Sequence, residues 1–305
     1  MMGVLRRSVL GVALLLAAVP VHASGWLEHS ETGQRGANFL QARYHFRAPS
    51  AGEARGIVLL VPPPGEDGVK FAESGGWPAF ADKLGYATLA AAYQGDEAHD
   101  FSNARRGSGT SLLGALRHFS DATGSRDLAN LNMVVYGVAA GGQFAFSFTQ
   151  DKPDRVFAFA AVLGAYWVPP TAAGRKTPGI FISADDQSDG AAPRTRDLVR
   201  AGRAYNAFWA WQGTPQRAGA ASSTLGLVQE YFSGSLELRQ SEKKLATGSP
   251  VDLSALKGWF MPSAGGTPLP MADVSRSEQG NGFWFPTEKS AGAWKPWNAE
   301  AAKGR

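Results

Sequence analysis

Unbroken apolar runs recur along the chain at Ile57 to Val61 (IVLLV), Ala87 to Tyr93 (ATLAAAY), Met133 to Tyr136 (MVVY), Val156 to Leu163 (VFAFAAVL) and Gly179 to Ser183 (GIFIS). Runs of this length without polar alternation are how strands buried on both faces read. An earlier stretch, Asn38 to Pro49 (NFLQARYHFRAP), alternates instead and predicts an antiparallel strand ending at its proline.

Helical spacing fills the gaps. Trp77 opens a helix with Pro78 in its first turn and Gly85 as its stop. Leu112, Leu113, Leu116 and Phe119 predict a second, capped by Thr110 or Ser111, and a third runs from about Gln143 to Gln150. From Arg194 one long helix is predicted through Gly213, carrying Trp209 and Trp211; a small-residue loop, Arg217 to Ser223, precedes another through LGLVQEYFSGSLELR. Helices alternating with apolar strands make an α/β architecture, a mostly parallel sheet covered on both faces. The segment from Ser241 to Arg305 is rich in Gly, Pro, Ser and Trp and reads as an irregular cover on a single domain spanning 24–305.

Residues 1–23 change the picture of where the protein works. A basic start (Arg6, Arg7), an apolar stretch (Val9 to Val19) and Val21-His22-Ala23 have the form of a cleaved signal peptide, so a secreted or periplasmic location is expected. That apolar stretch is shorter than the roughly 20 residues that span a bilayer, and no later one approaches it. The chain has no cysteine, which removes disulfides and thiol nucleophiles. The formal charge of +4 becomes +2 without Arg6 and Arg7, and the remaining basic residues are scattered, so no nucleic-acid partner is expected.

The chemistry should sit in MVVYGVAAGGQFAFSF, Met133 to Phe148, where an apolar strand passes through a glycine turn into a helix. Gly137-Val138-Ala139-Ala140-Gly141 has the shape of the G-x-S-x-G nucleophile elbow, with Ala139 where the serine belongs. Together with GGQFAFSFTQDKPDRV (Gly141 to Val156), GAYWVPP and the closing GFWFPTEKSAGAWKPW (Gly282 to Trp297), this turn resembles exported α/β-hydrolases of the polyester-depolymerase and esterase type. The resemblance implies the α/β-hydrolase fold with about eight strands and a serine, acid, histidine order along the chain. It places the nucleophile at Ala139, which cannot attack a carbonyl. The acid falls within ADDQSDG, with Asp185, Asp186 and Asp189 as candidates and Gln187 at the position matching the family's own. The histidine falls near Arg217 to Ser223, where there is none; all five histidines (His22, His29, His45, His99, His118) precede the elbow. An oxyanion hole needs only backbone N–H groups, and Gly65 and Ala140 are its candidates, because Pro62, Pro63 and Pro64 have no N–H to give.

Other residues offer weaker chemistry. Ser147 lies past the first helical turn and Ser111 reads as a cap. Ser241-Glu242-Lys243-Lys244 matches S-x-x-K without the companion elements. The glycine spacing is not that of a dinucleotide fold, and no acidic residue follows for a ribose. Asp185, Asp189 and Gly190 begin like a calcium loop, but Gln187 and Arg196 stand at ligand positions; neither metal nor cofactor is expected. His99 is read as part of a polar loop with Asp96, Glu97 and Asp100. The tryptophans of the tail read first as buried cover, and second as a sugar- or polymer-binding face.

Loss of the serine or the histidine of such a triad costs on the order of 10⁶ in turnover. The expected function is therefore that of an exported, triad-less relative of serine esterases that binds an ester- or sugar-bearing small molecule or polymer, with at most residual activity. The alternative is an active carboxylic-ester hydrolase using a non-standard nucleophile or an aspartate-activated water.

Overall fold

A computed structural model describes residues 25–96, 99–187, 190–240, 247–255 and 257–296. The segment read as a signal peptide, the S-x-x-K match, Asp189, Glu97 and Trp297 lie outside the described residues.

The apolar runs become strands of one sheet: β1 (Leu27–Thr32), β2 (Gln41–Arg47), β3 (Ile57–Val61), β4 (Ala87–Gln94), β5 (Met133–Val138), β6 (Val156–Val162), β7 (Gly179–Ala184) and β8 (Trp209–Thr214), in the spatial order β1-β2-β4-β3-β5-β6-β7-β8. The pairs β1/β2 and β2/β4 are antiparallel, while every pair from β4 to β8 is parallel. Parallel neighbours need crossovers, and helices supply them: α1 (Gly68–Ser74), α2 (Trp77–Leu84), α3 (Ser108–Thr123), α4 (Ala140–Asp151), α5 (Ala172–Arg175) and α6 (Ala191–Ala204); α7 (Ala220–Arg239) follows the last strand of this sheet.

Side chains alternate across a strand, so neighbours in register identify the two faces. Phe159 and Phe181 point to one face, where Phe146 of α4 packs at ring distances of 5.7 and 5.5 Å. Tyr136 of β5 pairs in register with Ala160 and so points the other way, onto Trp77 of α2 at 4.6 Å, which in turn meets Phe232 of α7. Helices thus cover both faces of a mostly parallel eight-stranded sheet. No helix among the described residues is long and apolar enough to cross a membrane.

Two expectations are corrected here. The long helix read from Arg194 stops at Ala204, since Asn206 takes φ 59° and breaks the helical run; Trp209 and Trp211 lie on β8, not on a helix. The helix read as capped by Thr110 or Ser111 begins earlier, at Ser108 after Gly107, whose φ of 126° no other residue adopts without strain. Ser111 is instead held between Tyr44 and the Glu31 carboxylate, 2.5 Å from each.

The C-terminal segment, read as irregular, forms a small antiparallel sheet of β9 (Trp259–Pro262), β10 (Leu269–Pro270) and β11 (Gly282–Phe285), then α8 (Glu288–Ala293). It seals the β8 side of the main sheet: Trp284 and Phe285 are fully buried, and the Trp294 indole N–H donates to the Trp211 carbonyl over 2.7 Å. Trp284 and Trp294 serve the core, and among the described tail tryptophans Trp259 alone is half-buried rather than buried.

Candidate functional site

The turn after β5 has the geometry of a nucleophile elbow. Ala139 sits at φ 54° and ψ −120°, a conformation L-residues rarely adopt, and α4 starts at the next residue. The Ala139 N–H donates to the Val162 carbonyl at 2.8 Å, and its own carbonyl accepts from Gly142 and Gln143 at 3.0 and 3.2 Å. The glycines are there because backbones touch. A Cβ on Gly137 would lie 1.9 Å from the Gly141 carbonyl oxygen, one on Gly141 would lie 2.1 Å from that of Val61, and one on Gly142 would lie 2.8 Å from that of Val162. The sequence therefore specifies a tight bend wedged between the ends of β3 and β6, presenting a half-buried methyl group.

Each remaining candidate has a definite place. Gly65 is exposed in the loop after β3, at φ 80°. Ala140 is the first residue of α4, where a helix leaves its N–H groups without internal acceptors. Below them Asp67 caps α1, its Oδ1 accepting the Lys70 N–H at 2.8 Å, and this bond holds its carboxyl below the usual range. Burial pushes the phenol of Tyr136, three residues before Ala139 on β5, above its usual range.

The acid loop follows β7, two strands from β5 and so about 10 Å across the sheet. Asp185 donates its N–H to the Thr214 carbonyl at 3.0 Å, and Asp186 Oδ1 accepts the Arg217 N–H at 2.6 Å. The loop after β7 is thus tied to the segment after β8, and no histidine of the sequence follows the elbow. Gln187 is committed elsewhere: its Nε2 donates to the Leu163 and Gly164 carbonyls at 2.8 and 3.3 Å, and its Oε1 accepts the Ala184 N–H at 3.1 Å.

The four described histidines lie on β1, β2, α3 and the loop after β4. His29 and His118 stack at 4.0 Å beside β1 and α3, and His45 lies 3.8 Å from Glu28. His99, in the loop after β4, is held 2.6 Å from Asp96. Ser147 is buried, and its Oγ accepts the Ala104 N–H at 3.0 Å, which makes it part of the scaffold.

One turn of α4 beyond the elbow, a cleft of about 300 Å³ opens among Asp100, Ser102, Asn103, Gln143, Tyr166 and Trp167. Gln143 joins its walls, its Oε1 accepting the Tyr166 N–H at 3.0 Å. Trp167 is fixed by an indole N–H bond of 3.1 Å to Thr195, and the Arg194 guanidinium lies 5.5 Å from the Tyr166 ring centre. Asp100 and Tyr166 lie in separate segments of the sequence that no local pattern connects. The strand order alone brings the loops after β4 and β6 to the two sides of α4.

No protein-family model matches this sequence, and no curated protein matches it. Solved structures do resemble it. A ferulic acid esterase superposes with a TM-score of 0.50 at 12% identity, over 67% of this chain and 96% of that one. The poly(3-hydroxybutyrate) depolymerase LpqC from Bordetella parapertussis gives 0.49 at 16% identity, over 67% and 89%. A thermostable esterase gives 0.48 at 14% identity, over 63% of this chain; the chain spans only 54% of that esterase. Likeness at such identities is likeness of fold: the chain has the α/β-hydrolase fold, with its sheet order and elbow as described above.

Proposed function

We propose that this protein is an exported α/β-hydrolase-fold protein that binds an ester- or sugar-bearing ligand at the carboxyl edge of its sheet without performing serine-based acyl transfer. One observation carries the reading: the strained elbow is retained while its apex is a methyl group. Backbone strain of this kind costs on the order of 1–3 kcal/mol and serves chiefly to project a side chain into a site. Here that projection survives without a nucleophile, and the sequence supplies no histidine beyond His118 to act as base.

Export rests on the form of residues 1–23 and predicts a mature chain beginning at Ser24, which N-terminal sequencing of the extracytoplasmic fraction checks. Catalytic silence is checked by turnover of p-nitrophenyl butyrate by the purified protein. The reading expects rates on the order of 10⁶ below those of an intact triad. The rival mechanism, water activated by an aspartate, requires a pH-dependent activity abolished by Asp185→Asn, Asp186→Asn or Asp189→Asn. The proposed reading expects any residual rate to be unchanged in all three variants; Asp186 Oδ1 is already engaged by the Arg217 N–H.

A further inference from the structure

We infer that the cleft beside the elbow is a binding site for a neutral polyhydroxylated ligand, a saccharide, rather than for an apolar acyl chain. This deepens the binding function proposed above and rests on it, but the cleft's own groups select the ligand class. Asn103 Oδ1 is buried in the wall and has no hydrogen-bond partner, so the site presents an acceptor that needs a donor. Gln143 spends its Oε1 on the Tyr166 N–H, which leaves its amide N–H₂ group as a donor. Asp100 uses Oδ1 on the Ser102 N–H and hydroxyl, which leaves Oδ2 as a second acceptor. Donor and acceptors around one cleft of about 300 Å³ match a ligand rich in groups that both donate and accept, as hydroxyls do.

The aromatic groups supply the other half of such a site. Tyr166 is 66% exposed, an unusual outlay for a large ring, and the Arg194 guanidinium at 5.5 Å from its ring centre restricts its movement. Trp167 is held in place by Thr195. A fixed aromatic surface beside paired polar groups suits the apolar C–H face and hydroxyl rim of a pyranose. An acyl chain would instead leave Asn103 Oδ1 unsatisfied and bury the Asp100 carboxylate against hydrocarbon.

A matched control exists in the same molecule. Tyr205, at the C-terminal end of α6 on the opposite edge of the sheet, is 71% exposed and also carries an arginine, Arg175, at 5.5 Å. The test is calorimetric titration of the purified protein with neutral cello-, xylo-, manno- and chito-tetraoses, beside a uronic-acid tetrasaccharide and a 3-hydroxybutyrate trimer. The expected result is saturable binding of a neutral tetraose, weakened roughly tenfold by Tyr166→Ala and several-fold by Asn103→Ala, and unchanged by Tyr205→Ala. Circular dichroism of each variant establishes that it is folded. Absence of binding by every neutral tetraose, binding of the ester trimer alone, or equal effects of Tyr166→Ala and Tyr205→Ala would each overturn the inference. Saccharide binding together with robust p-nitrophenyl butyrate turnover would overturn the catalytic silence proposed above and leave this site standing.

Discussion

Gln187 bridges the ends of two neighbouring strands, its Nε2 donating to the Leu163 carbonyl oxygen at 2.8 Å while its Oε1 takes the Ala184 N–H at 3.1 Å. Leu163 needs the support, because it holds φ 57°. A carboxylate at position 187 would accept from Ala184 but could not donate, and would face the Leu163 and Gly164 carbonyl oxygens. Gln187→Glu is therefore expected to destabilise the protein by about 1–3 kcal/mol at neutral pH, read as a lowered urea midpoint. Stability equal to wild type would show that the bridge is dispensable.

The elbow makes a pair of opposed predictions. Ala139→Gly removes an L-residue from φ 54°, relieving about 1–3 kcal/mol of strain against roughly 0.5–1 kcal/mol of added chain entropy, so a net gain of about 1 kcal/mol is expected. Gly141→Ala drives a Cβ to 2.1 Å from the Val61 carbonyl oxygen, where neither backbone can yield, and is expected to cost more than about 3 kcal/mol or prevent folding. Thermal melts of both variants decide the matter, and a destabilised Ala139→Gly would mean that the turn is not strained.

Asp82 anchors α2 to the antiparallel end of the sheet through Arg47, 3.1 Å away, and through the Ser50 N–H at 2.9 Å. Burial pushes its carboxyl up, but these donors outweigh burial and hold it below the usual carboxylate range. The folded value lies below the unfolded one of about 3.9, so the contact stabilises above that pH and its contribution is lost as pH falls through the folded value. Asp82→Asn is expected to lower the melting temperature near neutrality and to flatten its decline between about pH 5 and pH 2. Parallel declines for the two proteins would remove Asp82 from the acid response.

How much of this was legible in the sequence depends on how locally each feature is encoded. The strands at 57–61, 133–138, 156–162 and 179–184 are readable because burial on both faces leaves their positions almost wholly apolar, and every residue in them is buried. β1 was missed because its sequence, LEHSET, is a charged edge strand whose only strand signal is its pairing with β2. β8 was misread because Trp209 and Trp211 continue an apolar stripe that Asn206 interrupts by conformation rather than composition. The small C-terminal sheet pairs Trp259 with Phe285 across 26 residues dense in glycine and proline, which no local pattern announces. The elbow could be found since its glycines mark backbone contact, whereas the cleft joins Asn103, Gln143 and Tyr166 from three separate segments and exists only after the sheet is ordered.

The central claim, that Ala139 leaves this fold without an acyl-accepting nucleophile, is tested most directly by intact-mass measurement of the purified protein after incubation with a fluorophosphonate. The account predicts an unchanged mass under conditions that label a triad hydrolase completely. A stoichiometric adduct mapping to any serine of the chain would contradict it.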